Sequence, residues 1–429
     1  MVVLNAHVKS GQAAKTVLEK LTPISASVSH LIKLTEDLGR ELAQTRDQQA
    51  TLHAEGKLPV QVQQPPQVAA VGVDGGRLFT RAADAPRGVH QGAWKETKVA
   101  CLLTLRSETS EADPHPALPG CFADSKGVDK LVREVKAIRN QAPVDDGLPR
   151  VEEEAAVADD EAEGLLDSLF SPVSAAPDVA EPPQDVVSEP DGKSDWRPQR
   201  KVRTCVSSLC NSDAFGPMAA AEARRRNFFA ADRRAFLGDG LKWNWTLHAK
   251  WFSGFEPILD FVHPMTYVYE ASRVVAEEDA SWPLCQRWLE ACWQGQVTSV
   301  LAELRVWQAL HPSPPDEKLA DNDGRTMVSK AATYLENNRS RMDYPKYRRL
   351  GLPVTSSMVE SLIKELNYRV KGSEKAWTRD GGEWMLQIRN AVLCEDADRL
   401  SDFILNRPGC AYYRPSTAKN ANAEQATAA

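Results

Sequence analysis

The chain has 429 residues, a 42% apolar content with eleven tryptophans, and 52 Lys+Arg against 59 Asp+Glu, a net charge of −7. No apolar run approaches the ~18 residues that span a bilayer, Met1-Val2-Val3-Leu4 lacks the basic n-region of a secretory signal, and the eight cysteines show neither Cys-x-x-Cys nor a zinc spacing, so they read as reduced thiols of a cytoplasmic protein. An acidic total argues against a nucleic-acid partner, but it hides a split: residues 144–191 hold fifteen acids and one base, Arg150, a charge of −14 that leaves +7 elsewhere.

In chain order, residues 12–22 and 25–50 are predicted helices. In the second, Val28, Leu31, Ile32, Thr35, Leu38 and Leu42 recur at helical spacing, and Ser25 and Ser27 are candidate N-caps. With the break at Thr22-Pro23 the pair is helix–turn–helix-like, so residues 1–55 form an N-terminal helical region and a candidate DNA contact. A Pro- and Gln-rich linker follows at 56–67. Val68 to Val73 reads as a strand ending at Asp74-Gly75-Gly76, with Arg77 to Ala82 as its returning hairpin partner. Trp94 to Leu105 is a third strand, which suggests an antiparallel meander. Residues 144–195 are acidic, Pro-rich and nearly free of aromatics, and are expected to be disordered.

Strand character returns at Val202 to Ser207, helix at Ala219 to Arg234, strand at Ala235 to Gly238, helix at Trp243 to Trp251, and a buried strand at Pro257 to Val262. Helices are predicted from Met265 to Glu277, through the Trp- and Leu-rich stretch 281–310, and at Val328 to Asn337, Val359 to Val370 and Gly381 to Leu393. The tail, 406–429, is polar and expected to be flexible. A meander followed by β-α units gives an α/β mixed sheet with flanking helices, the outline of a ribonuclease-H-like fold.

Three carboxylates stand out on this outline. Asp74 and Asp239 end strands, and Glu360 lies on a late helix. Phosphoryl transfer assisted by two Mg²⁺ or Mn²⁺ ions needs oxygen ligands converging from different elements. Each residue also has a plainer reading: Asp74-Gly75 and Asp239-Gly240 are hairpin-turn dipeptides, and Ser357 to Glu360 is a capping-box pattern. Asp260 and His263, three apart at a strand end, are candidate accessory residues. Trp243 and Trp245 are candidates for stacking on an unpaired base or for helix packing. Lys364, Arg369 and Lys371 form a basic stripe beyond Glu360. Residues 339–349 (RSRMDYPKYRR) interleave five bases, among them Arg348 and Arg349, with two tyrosines, a pattern suited to a phosphate backbone; Arg197 to Arg203 and Arg224 to Arg226 add further charge.

The strings VGVDGGRLFTR, FLGDGLKWNW, ILDFVHPMTYVYEA and YLENNRSRMDYPKYRRLGLPVTSSMVESLIKELNYRVKGSEKAWTRDGGEWML resemble DDE transposases of the ISKra type, bacterial insertion-sequence enzymes related to the Mutator-like superclass. The resemblance covers about residues 25–100 and 200–395. GDG-x-K-W and the segment Tyr347 to Ser361 are its specific parts, and VDGG alone is weak. It implies a ribonuclease-H-like core in pieces (68–143, 196–264 and the C-terminal helices 346–405) with an all-α insertion at 265–345. It carries the catalytic, metal-binding triad onto Asp74, Asp239 and Glu360, with two Mg²⁺ or Mn²⁺ ions, and an Asp-x-x-His signature onto Asp260 and His263.

The implied activity is metal-dependent cleavage and strand transfer at insertion-sequence ends, by a homo-oligomer acting on terminal-repeat and target DNA at the nucleoid. Members usually carry an N-terminal zinc-ribbon with paired cysteines, which this sequence does not show, so a truncated copy is one expectation. The alternatives are an inactive DNA-binding derivative and a nuclease that cuts without joining.

Overall fold

The structure, a computed structural model, describes residues 1–82, 92–140, 196–312, 319–372 and 375–407. The acidic stretch 144–191 lies outside them, as do most of the tail and residues 83–91 between the first two strands. Among the described residues no helix is long and apolar enough to cross a membrane.

Five strands form one sheet: β1 (Val68–Arg81), β2 (Gly92–Arg106), β3 (Gln199–Ser208), β4 (Arg233–Gly238) and β5 (Glu256–Leu259), in the order β3-β2-β1-β4-β5. The first three pair antiparallel, while β4 joins β1, and β5 joins β4, in parallel. This corrects the predicted meander. Asp74-Gly75-Gly76 is not a turn: β1 runs through it, with Asp74 opposite Val99 and Gly75 opposite Lys98. The meander therefore consists of β1, β2 and β3, and the acidic stretch falls inside it, between β2 and β3, not after it. Asp-Gly marks a hairpin only when flanking strands can fold back on each other, and here β2 and β4 already occupy both edges of β1.

Val68 to Val73 are all buried, as expected for a strand covered on both faces. On one face Val68, Ala70, Val99, Cys101, Ala235, Leu237 and Ile258 belong to the larger core. It is closed by α5 (Ser125–Asn140), by α13 (Ser357–Val370) and by helices of the block described below. On the other, Ala69, Val71, Ala100 and Phe236 pack with Phe215, Ala219 and Ala223 of α6 (Ser212–Arg225) and Leu247 of α7 (Lys242–Trp251). The result is helix, sheet, helix in three layers. The helix predicted over 219–234 starts seven residues earlier, where Asn211 accepts the N–H of Ala214 as its cap, and stops in time for β4 to begin at Arg233.

Between β5 and α13 the regular elements are helical: α8 (Val262–Val275), α9 (Glu278–Trp293), α10 (Val297–Leu310), α11 (Gly324–Asn338) and α12 (Tyr344–Arg349), with a single 3₁₀ turn among the described residues. Trp288 and Trp293 are fully buried here. The Trp293 ring lies against Phe122, Phe261 and Tyr344, and its N–H donates to the carbonyl of His115. These tryptophans fill core.

The N-terminal helices α1 (Val2–His7), α2 (Gly11–Leu21) and α3 (Val28–Ala54) are packed into the body. Ser27 caps α3 through the N–H of His30. Ala6 and Leu38 share a cluster with Ile388 of α14 (Arg379–Leu393) and Leu400 of α15 (Arg399–Leu405), and Arg46 pairs with Glu383. The short helices α1, α12 and α15, together with α4 (Gly120–Ala123), carry no periodic signal in the sequence long enough to separate them from loops; α5 does carry one, with Val128, Leu131, Val132, Val135 and Ile138 at helical spacing.

Candidate active site

Asp74 sits on β1 on the face of Ala70 and Gly72, the face covered by α13. A Cβ at Gly72 would lie 2.3 Å from a methyl of Val359. The bare backbone there lets the first turn of α13 lie directly on β1, and Glu360 follows Val359. On the other side, the parallel ladder pairs Gly72 with Leu237. Two residues further along each chain stand Asp74 and Asp239. Gly240 then turns the chain with φ +95°, a conformation suited to glycine, tightly against the ring of Tyr334. The turn leads into α7 and is not a hairpin.

The side chains respond to one another. Burial, then the neighbouring charge of Asp239, push the Asp74 carboxyl up to about 8. His263 and the Gly75 N–H act in the opposite sense, and Glu360 adds to the rise. Asp74, Asp239, His263 and Glu360 thus share one electrostatic field although they come from four elements. Glu360 does not close a capping box. The N-cap position of α13 is Ser356, which makes no side-chain cap bond, so Glu360 lies one residue past the position such a box requires.

Each aspartate is held by local donors. Asp74 Oδ1 accepts the N–H of Gly75 at 2.6 Å. Asp239 Oδ1 accepts the N–H of Leu241 at 2.9 Å and the Nδ2 amide of Asn244 at 2.5 Å, while the Tyr334 hydroxyl donates to the Asp239 carbonyl at 2.6 Å. Asn244 and Tyr334 were not legible as site residues. Asn244 had a faint signal in its place between two tryptophans, and Tyr334, 95 positions away, had none.

Asp260 is completely buried. Its Oδ2 meets His263 Nδ1 at 2.7 Å and its Oδ1 accepts the Ser356 N–H at 2.8 Å. Burial works to lower the His263 pKa, but the hydrogen bond and charge of Asp260, then Asp239 and Asp74, overcome it and bring it to about 10. At neutral pH His263 is an imidazolium beside the carboxylates.

Several predicted DNA-contacting residues are structural instead. Arg348 is buried, donating to both Asp113 oxygens and to the Trp293 carbonyl with its guanidinium 4.2 Å from the Trp293 ring. Arg369 is buried and donates to the Asn5 carbonyl at 2.9 Å. Arg203 pairs with Glu365, and Arg226 donates to Leu102 and Thr204 inside the sheet. Trp243 packs against the second core with Lys98 4.3 Å over its ring. Trp245 donates to Asn338 and carries Arg341 at 4.3 Å on one face, so that face is already occupied. Lys364, Arg349 and Lys371 remain half-buried near the surface.

Among the described residues, no group of three or more His, Cys, Asp or Glu side chains stands in an arrangement that could hold a metal ion, and the seven described cysteines are free thiols. The candidate ligands are carboxylate oxygens, the donors a hard divalent cation takes; the rise of the Asp74 carboxyl comes first from burial and then from the charge of Asp239. No protein-family model and no curated protein sequence matches this chain.

Proposed function

We propose that the chain is a ribonuclease-H-like DNA-processing enzyme, a DDE-type transposase in which Asp74, Asp239 and Glu360 would hold Mg²⁺ or Mn²⁺. The observation that carries the reading is the register that sets Asp74 and Asp239 at matching positions on neighbouring parallel strands, with Glu360 one residue past the Val359–Gly72 contact; Asp239, His263 and Glu360 all act on the Asp74 carboxyl. The sheet supports it: three antiparallel strands followed by two parallel ones, in the order 3-2-1-4-5, with helices as the regular elements among the described residues between β5 and the helix that bears Glu360.

Bound there, divalent ions would supply charge neutralisation at the phosphoryl oxygens and a more acidic water. The rest is the work of the chain. Asn244 and the Leu241 N–H fix the Asp239 carboxylate, and Asp260 fixes both His263 and the start of α13. In the first step water attacks the scissile phosphorus and the P–O3′ bond breaks, leaving a 3′-hydroxyl and a 5′-phosphate. In the second, that 3′-hydroxyl attacks a target phosphodiester in line, whose own P–O3′ bond breaks. Positioning and electrostatics account for catalysis, with no covalent protein intermediate.

The test is cleavage and strand joining on DNA carrying the terminal repeats that flank the coding region, with Mn²⁺ present. Wild type should cut and join, and Asp239→Asn should lose at least about a thousandfold in rate. Equal activity in the two proteins would overturn the assignment. Cut but unjoined products would reassign the chain to a simple nuclease.

A further inference from the structure

A cavity of about 810 Å³ opens beside the carboxylates, between α7 and the end of α11. It shares Gly240 with the Asp239 turn, so it begins one residue from the proposed reaction centre. Its charged lining is entirely basic: Lys242, Lys250 and Arg341. Among the described residues none of the three forms an ion pair, whereas Arg203 and Arg348 elsewhere in the fold are paired with carboxylates. Arg341 lies flat on Trp245, 4.3 Å from the ring, and gives one N–H to the Asn337 carbonyl at 3.1 Å. That indole is fixed by its own bond to Asn338. The guanidinium is thereby oriented before any ligand arrives, with donors left over. Lys242 and Lys250 are exposed on the opposite wall.

We propose that this pocket seats the sugar–phosphate backbone of a single DNA strand running to or from the Asp239 site. The inference deepens the function proposed above and rests on it for the identity of the strand. A preoriented planar cation and two exposed ammonium groups, that of Lys250 lying 5.7 Å from the Trp251 ring, suit successive phosphates. The volume is that of a ligand pocket (~300–1,000 Å³) rather than of a duplex-sized groove. Arg341 covers one face of Trp245, so the pocket binds through phosphate contacts and reads little sequence.

The experiment measures binding of the full chain to fluorescein-labelled oligothymidylate, without divalent metal, across a salt series. Lys242→Gln/Lys250→Gln should bind about tenfold more weakly, and its log–log salt slope should fall by ~0.7 for each phosphate no longer neutralised. Lys57→Gln/Lys126→Gln, which removes the same charge from exposed positions outside the pocket, should change neither. Both pocket lysines are exposed, so the fold is retained. Unchanged affinity and slope in the pocket variant would overturn the proposal, even if the wild type cleaves DNA. If the wild type cleaves nothing while binding still depends on these lysines, the pocket stands and the transposase reading fails. Inorganic phosphate that displaces the oligonucleotide as well as an unlabelled strand does would mark a lone-anion site and overturn the strand assignment.

Discussion

The Oδ1 atom of Asp260 accepts the backbone N–H of Ser356 at 2.8 Å, across 96 positions of sequence. One buried carboxylate therefore joins the end of β5 to the residue that starts α13, and its other oxygen holds His263. Through Ser356 it anchors the first turn of the helix that carries Glu360. Asp260→Asn keeps an acceptor for Ser356 but loses the charge facing His263, and should cost about 1–2 kcal/mol. Asp260→Ala loses both and should cost about 3 kcal/mol or more. Urea melts measure the two costs. The His263 pKa, raised in the folded protein, contributes stability that is full below 6.5 and is lost as pH rises through about 10. In Asp260→Asn the imidazole should titrate nearer 6.5 by NMR. An unmoved titration would show that Asp260 is not the source of the shift.

The Asp74 carboxyl is shifted the other way from an ordinary paired aspartate. Burial and Asp239 raise it from 3.8 to about 8, so the folded protein holds a proton that the unfolded chain releases. Metal-free stability should fall as pH rises through that window. Asp74→Asn should remove the slope and melt higher than wild type at the alkaline end, by ~2–4 °C for each kcal/mol relieved. Mn²⁺ should stabilise wild type at that pH and leave Asp74→Asn nearly unmoved. Thermal melts at both ends of the window, with and without the ion, give all four comparisons. A variant that melts lower than wild type without metal would contradict the electrostatic account.

The sequence made the carboxylates legible because they sit in short local signals: Asp239 before a glycine at the end of an apolar strand, and Asp260 three residues from His263. The length of β1 was not legible. Asp74-Gly75-Gly76 has the composition of a turn, and only the pairing with Lys98 and Thr97 on β2 shows that it is extended. Burial of the basic residues was also hidden. Arg348 and Arg369 look like surface charge, and what neutralises or binds them lies 235 and 364 positions away. Part of the +7 outside the acidic stretch is thus committed inside the protein. The cations beside Gly240 face a pocket without carboxylates in its lining.

Gly72 offers a test of the packing that seats α13. Its Cβ position is 2.3 Å from Val359 Cγ2 and 3.8 Å from Val359 Cβ, so a side chain there fits only if the Val359 methyl turns away or the helix shifts. Gly72→Ala should destabilise by about 1–3 kcal/mol and lower cleavage, because Glu360 moves with Val359. Trimming the opposing side chain should restore part of both in Gly72→Ala/Val359→Ala, giving a non-additive double-mutant cycle. Chemical melts and the oligonucleotide cleavage assay read the two effects. Additive effects would mean that this close approach does not determine where the helix lies.

Glu222 on α6 predicts how the protein fails in acid. It is buried and receives both Arg399 Nη groups, at 2.5 and 3.1 Å, and Arg225 Nη1 at 2.6 Å. Burial alone would raise its pKa, but the charges of Arg399 and Arg225 and the Arg399 hydrogen bonds outweigh it and lower it from 4.5 to about 2. A depressed carboxyl contributes stability that is complete above the unfolded value and is lost as pH falls through the folded one. The link between α6 and α15 should therefore weaken between about 4.5 and 2. Glu222→Gln should cost about 2–3 kcal/mol near neutrality, since it leaves Arg399 with only Asp396 among the described residues. It should also flatten the acid limb of a stability–pH curve in that window. An acid limb as steep as that of wild type would assign the loss to other carboxylates and remove Glu222 from the explanation.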